Sequence, residues 1–171
     1  MSRKLKEKNL IDKSKIIFFD FDGVIKESIN AKGEAFTEMI PSISENLKLR
    51  IKKHHELNGG ISRFNKIPLY LEWSGLEGSE ENIHKFSSIF SSLVFTKVIK
   101  SKFVLGSKEF LESVFQGKEC VLISATPLNE LKEIIITLNL SKFFRKIYGS
   151  PQSKDHAIHD YLSLSKKSSS E

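Results

Sequence analysis

Three apolar runs bounded by turn signals punctuate the chain: Ile16–Phe19, 121–123 preceded by Cys120, and Phe143 and Phe144 continuing to Ile147 and Tyr148. The first two are continuous rather than alternating, the pattern of strands covered on both faces of a parallel sheet. Between the second and third runs, TPLNELKEIIITLNL places Leu128, Leu131, Ile134, Ile135 and Leu138 at helical spacing. Thr126 is expected to cap that helix, with Pro127 as its first residue and Glu130 and Glu133 near its positive end. The spacing also predicts a helix over 107–116, with Phe110, Leu111 and Val114 on one face. Another follows Pro151, with Ala157, Ile158, Tyr161 and Leu162 on one side. Strands alternating with helices define an α/β domain with right-handed crossovers.

Residues 28–95 read differently. Ala35, Phe36, Met39, Ile40 and Ile43 recur at helical spacing, then come KLRIKKHH, NGGISRFNKIPLYLEW and more helix after Ser79. No run there compares with the three strands. The segment is predicted to be a helical insertion, a cap over 28–95 on a core made of 1–27 and 96–171. Gly59 and Gly60 predict a flexible or positive-φ turn. Tyr70 and Trp73 are expected to pack the cap. His54 and His55, and the pair His156 and His159, read as solvated helix surface rather than zinc ligands. The closing LSLSKKSSSE is a polar end without a core of its own.

Ligands of an open parallel sheet bind beyond the carboxyl ends of its strands. The first strand delivers Asp20 and Asp22 there, the second Ser124, Ala125 and Thr126. The third leads through Gly149, Ser150 and Pro151 to Lys154 at a helix start. Paired carboxylates suit a hard cation such as Mg²⁺, and a lysine and backbone N–H groups offset the charge of a phosphoryl group. Residues two apart on a strand point the same way, and a turn at Gly23 lets the second acid swing over the first. One acid can then attack phosphorus while the other protonates the leaving oxygen. In the cap, Arg63 and Lys66 are candidates to face a substrate's phosphate or acidic group, with surface charge on a helix as the alternative.

Asp20-Phe21-Asp22-Gly23-Val24 after an apolar strand, then VLISAT with Ser124, then YGSPQSK with Lys154, resemble in order the first three motifs of the haloacid dehalogenase (HAD) superfamily. The helical insertion sits where that superfamily carries its C1 cap, and the phosphoglycolate phosphatase-like and β-phosphoglucomutase-like branch is the most similar. The resemblance implies an α/β fold with a Rossmann-like parallel sheet. It also implies a Mg²⁺-dependent phosphomonoester hydrolase that works through an aspartyl-phosphate on a small phosphorylated metabolite, a phosphosugar among the candidates. By the same resemblance Asp20 is nucleophile and Mg²⁺ ligand, while Asp22 is general acid and base and lends its backbone carbonyl to the metal. Ser124 would hydrogen-bond the phosphoryl group, Lys154 would hold Asp20 and the phosphate, and Gly23 and Ala125 would border the substrate. A phosphomutase of the same fold and a catalytically silent binding module are the alternatives. The superfamily's fourth motif, an acidic G-D-x-x-x-D pair after a further strand, has no counterpart before Glu171. The sheet is therefore expected to be incomplete, the chain to be a truncated product, and 16–20 to be an uncovered apolar edge.

Composition narrows the setting. Of 171 residues, 39% are hydrophobic and 10% aromatic, enough to build a core. A single cysteine, Cys120, inside an apolar run rules out an internal disulfide and suits a reducing cytoplasm. No run approaches the roughly 18 residues of a membrane span. The basic start MSRKLKEKNLIDKSK leads into a run too short for a signal peptide. The net charge of +6 is spread along the chain and mixed with Glu, clustering only in the tail and at Lys52 and Lys53. Nucleic acid and membrane are accordingly not expected as partners, and no pattern specifies an oligomer.

Overall fold

The computed structural model describes residues 11–165. The basic start up to residue 10 and residues 166–171 of the polar end lie outside the described residues. A parallel sheet of three strands, β1 (Ile16–Phe19), β2 (Glu119–Pro127) and β3 (Lys146–Ser150), runs in the order β1-β2-β3. Phe19 pairs with Leu122, and Leu122 in turn with Ile147. Seven helices are named here: α1 (Ile29–Glu38), α2 (Glu45–Leu57), α3 (Arg63–Trp73), α4 (Glu80–Lys100), α5 (Ser107–Val114), α6 (Leu128–Thr137) and α7 (Lys154–Ser165).

Side chains of β2 point alternately to two apolar layers, which is why its run is continuous. Cys120 and Leu122 join Leu111, Leu131 and Ile134 on one face. Val121 and Ile123 join Tyr148, Ala157 and Tyr161 under α7 on the other. Burial pushes the Cys120 thiol pKa up, as befits a core residue. Strand β1 has β2 on one side only among the described residues, and its central Ile17 and Phe18 are only half-buried. Both faces of β1 meet core layers, Ile17 and Phe19 on one and Ile16 and Phe18 on the other, and the open edge leaves only Ile17 and Phe18 partly exposed.

Two boundaries differ from the sequence reading. Phe143 closes a 3-10 turn over Ser141–Phe143 and Phe144 follows it, so β3 begins only at Lys146. Both rings fill the core instead of continuing a strand, Phe143 against Phe115 and Phe144 against Phe19. Thr126 does not cap α6. The position before that helix is Pro127, and Thr126 still belongs to β2, with its hydroxyl turned to other partners described below.

Helices α1–α4 form a layer over the carboxyl edge of the sheet. Its centre is Phe36, whose ring meets Phe90 at 4.1 Å and Tyr70 and His55 at 5.1 Å. Trp73 packs against Tyr70, and Arg50 lies over the Trp73 ring. Ser44 and Ser79 cap α2 and α4, each accepting from the backbone N–H three residues on. Helix α4 runs without a break to Lys100, through the predicted cap boundary at 95. Its last carbonyls are met by the buried ammonium of Lys26, which donates to Ile99 and Ser101 and sits 4.4 Å from the Phe103 ring centre. A cation at a helix C-terminus is favoured by the helix dipole, and here it also ties the layer to the loop after β1.

Candidate active site

The loop after β1 is shaped by its own backbone. Gly23 adopts φ +75°, and a Cβ there would stand 2.7 Å from Ile29 Cδ1. The Gly23 N–H donates to the Lys26 carbonyl and the Lys26 N–H to that of Phe21. This reversal sends Asp20 and Asp22 to different partners. The Phe21 N–H donates to Asp20 Oδ1 at 2.8 Å, and Lys154 Nζ, at the start of α7, donates to Asp20 Oδ2 at 2.5 Å. Both side chains keep about a third of their surface in water, 36% and 37%.

Asp22 is more enclosed. Its Oδ1 accepts from Ser28 Oγ at 2.5 Å and its Oδ2 from Lys32 Nζ at 2.6 Å. Burial alone would raise the carboxyl's pKa. The Lys32 ammonium and the Lys32 and Ser28 hydrogen bonds outweigh it, and the group is held below its ordinary value. Lys32 Nζ also donates to Thr126 Oγ1 at 2.8 Å, and Ser124 Oγ donates to the same oxygen at 3.1 Å. A continuous polar chain thus runs from Ser124 through Thr126 and Lys32 to Asp22. The Ser124 oxygen accepts in return from the Thr126 N–H.

Close approach at the sheet edge sets this arrangement. A Cβ on Gly149 would lie 2.6 Å from the Thr126 carbonyl oxygen and 2.7 Å from Leu128 Cα. A bare glycine lets the end of β3 press against the end of β2, which brings Lys154 and Ser124 to one cleft of about 510 Å³. Ala125 lines it too, and its facing wall is formed by Ile61, Ser62, Phe64 and Asn65 around the start of α3. Ser62 Oγ and Ser150 Oγ, 3.2 Å apart, join that wall to the end of β3.

Behind the cleft lies a chamber of about 20 Å³, room for roughly one water. Asp22, Lys32, His55, Arg63, Lys66 and Thr126 converge on it, and Ile61 and Ala125 border both spaces. Arg63 pairs with Glu130 of α6 at 2.5 Å, donates to Ser91 Oγ at 2.6 Å and lies over the Phe90 ring. Lys66 Nζ lies 3.0 Å from His55 Nδ1. An ammonium only donates, so that nitrogen accepts and the ring proton sits on Nε2. Burial and the neighbouring Lys66 push the His55 pKa down to about 3. Burial and Lys32 bring Lys66 down to about 8.

The structure therefore gathers Asp20, Lys154, Ser124 and Ala125 around the cleft, with Asp22 in the chamber next to it. Gly23 is not in the cleft: its N–H is spent in the turn, and it borders a separate surface pocket with Ile29 and Val104. Arg63 and Lys66 are neither surface charges nor cleft residues, since ion pairing and burial turn both into the chamber. His55 is buried, which overturns its reading as solvated surface, and His54 bonds the Tyr70 hydroxyl at 2.9 Å. His156 and His159 are exposed. Gly59 and Gly60 form a turn without positive φ. The sequence reading passed over Lys32 and Ser28, and gave Glu130 only a place near the positive end of its helix. For Lys32 a signal existed, because it precedes Ala35, Phe36 and Met39 by three, four and seven residues and so shares their buried face.

No group of three or more His, Cys, Asp or Glu side chains gathers as a metal site among the described residues. Mg²⁺ accepts one or two carboxylates plus substrate oxygens and waters. The Asp20 carboxylate accepts from the Phe21 N–H and Lys154 yet stays about a third exposed, and so fits that requirement better than the enclosed carboxylate of Asp22, which accepts from Ser28 and Lys32.

A parallel sheet with an acid pair and a lysine at its carboxyl edge, overlaid by inserted helices, is an α/β architecture. Comparison of the structure makes this specific: the chain has the haloacid dehalogenase-like fold. A haloacid dehalogenase-like family hydrolase from Streptococcus pneumoniae superposes with TM-score 0.64 at 21% identity, covering 90% of this chain and 71% of that one. A protein described as a predicted phosphoglycolate phosphatase from Haemophilus somnus gives 0.63 at 19%, covering 90% and 72%. A HAD-type hydrolase of Bacillus subtilis, described as bound to magnesium, gives 0.57 at 16%, covering 80% and 65%. No protein-family model matches the chain, and no curated protein matches it in sequence.

Proposed function

We propose that the protein is a Mg²⁺-dependent phosphomonoester hydrolase that transfers the phosphoryl group of a small phosphorylated metabolite to Asp20 and then to water. The observation that carries this reading is the Asp20–Lys154 pair at 2.5 Å on the edge of an open cleft, with a second acid two residues on. Likeness of fold to hydrolases and phosphatases supports it.

In the first step an Asp20 oxygen attacks phosphorus and the bond from phosphorus to the leaving oxygen breaks. That oxygen takes a proton from Asp22. In the second step a water oxygen attacks phosphorus, its proton passes to Asp22, and inorganic phosphate leaves as the Asp20 carboxylate is restored. Lys154 orients Asp20 and offsets charge on the transferring group, while Ser124 and the backbone beside Ala125 hold the phosphoryl oxygens. Mg²⁺, held by Asp20, supplies further positive charge against those oxygens when bound. Asp22 is ionised while it pairs with the Lys32 ammonium; to serve as the acid it must part from that ammonium and take up a proton from solvent, which it then hands to the leaving oxygen. Residues 28–95 act as the cap, with Arg63 securing it through Glu130. No described helix is long and apolar enough to cross a membrane, and the reading places the enzyme in the cytoplasm.

The test is phosphate release by the full chain from a panel of phosphomonoesters with and without Mg²⁺. Turnover that needs the metal and vanishes in Asp20→Asn supports the reading. A panel left intact with Mg²⁺ present overturns it.

A further inference from the structure

Charge is divided unevenly between the two spaces at the cap–core boundary. All three cap cations near the site, Lys32, Arg63 and Lys66, are at least nine-tenths buried and face the chamber, where Asp22 and Glu130 neutralise two of them. The open cleft is different. Among the described residues lining it, Lys154 is the one charged group, and it is committed to Asp20. The cap side of the cleft offers Ile61 and Phe64, which leave 43% and 49% of their surface uncovered, and the uncharged polar groups of Ser62 and Asn65. Exposed apolar surface of this size on a cleft wall is a feature that a ligand would cover.

Resting on the proposed phosphatase reading, we infer that the leaving group is an uncharged alcohol with a flat apolar face edged by hydroxyl or amide groups, a sugar or a nucleoside, and not a carboxylate or a second phosphate. Its face lies on Phe64 and Ile61, and its polar rim meets Ser62 and Asn65. A second anion in this cleft would lie against apolar carbon with no cation to meet it, which is costly once water is excluded. It cannot use the buried cations instead, because their chamber holds about one water.

Two measurements separate this inference from the reading beneath it. The first compares kcat/KM of the full chain for a hexose monophosphate, a nucleoside 5′-monophosphate, a three-carbon phosphocarboxylate and a hexose bisphosphate. The second measures their dissociation constants calorimetrically on Asp20→Asn, which binds without turning over. Either neutral leaving group is expected to be preferred over both anionic ones by about tenfold or more. Phe64→Ala is expected to weaken the preferred ligand about threefold to tenfold, in KM rather than kcat. Tighter binding of the hexose or of the nucleoside ester identifies which leaving group is meant. Preference for the phosphocarboxylate or the bisphosphate in either measurement overturns the inference. If nothing is hydrolysed yet neutral esters bind preferentially, the phosphatase reading falls and the inference about the ligand stands. Absence of binding by all four overturns both.

Discussion

Lys32 of α1 and Asp22 of the loop after β1 form a 2.6 Å ion pair, with side chains only 9% and 13% exposed. A pair this enclosed is felt mainly when one partner is removed, because the other is left as an uncompensated charge.

Lys32→Met is therefore expected to cost about 3–5 kcal/mol at neutral pH. With the cation gone, burial dominates and the Asp22 carboxyl moves above its ordinary value. In the native protein the pair's contribution is present above the ordinary carboxyl value and fades as pH falls through the depressed one. In the variant Asp22 takes up a proton on mild acidification and its penalty shrinks. Urea unfolding at pH 7 and pH 5 checks this: the deficit relative to native should be smaller at pH 5. An equal deficit at both values would show that the ion pair is not the cause.

Lys66 presents the opposite case, a buried cation near Lys32 that pairs with the His55 ring and with no carboxylate of its own among the described residues. Its pKa falls from 10.5 unfolded to about 8 folded, so the unfolded state binds more protons between those values and stability rises with pH across that window. Lys66→Met is expected to raise stability at pH 7 by about 2–3 kcal/mol, an order-of-magnitude figure, and to flatten the rise above pH 8. Thermal unfolding from pH 7 to pH 10 measures both effects.

Arg63 and Glu130 are 5% and 11% exposed and join α3 to α6. Arg63→Met alone is expected to cost about 3–5 kcal/mol, and Glu130→Gln a comparable amount. The double variant should recover much of the sum, and a double-mutant cycle by chemical unfolding reads the coupling. Additive losses would mean that the two side chains act independently.

Lys154 and Asp20 are each about a third exposed, so water screens their pair and its share of stability is small. Lys154→Met is expected to leave the melting temperature nearly unchanged while lowering phosphate release by about 10²–10³-fold. A loss of activity matched by a loss of folded protein would assign Lys154 a structural role instead.

What could be read along the chain was whatever depends on neighbours in sequence. Apolar continuity located β1 and β2, the 3.6-residue period located α6 and α7, and the expectation that Asp20, Ser124 and Lys154 share one edge of the sheet followed from the strand order, although Ser124 lies within β2 and not past it. Contacts between distant elements decided the rest. Period alone assigns Lys32 and Lys66 to a helix face but cannot say whether that face meets water or a carboxylate from another element. Asp22 and His55 lie 10 and 11 residues from those lysines along the chain and reach them only once α1 packs against the loop after β1 and α3 against α2. Thr126 illustrates the same limit: a hydroxyl before a helical run suggests a cap, yet Lys32 and Ser124 offered it a buried partner and β2 extended through it. Polar side chains choose among competing donors and acceptors at short range, and which of these stand within 3 Å is known only once the layers have packed.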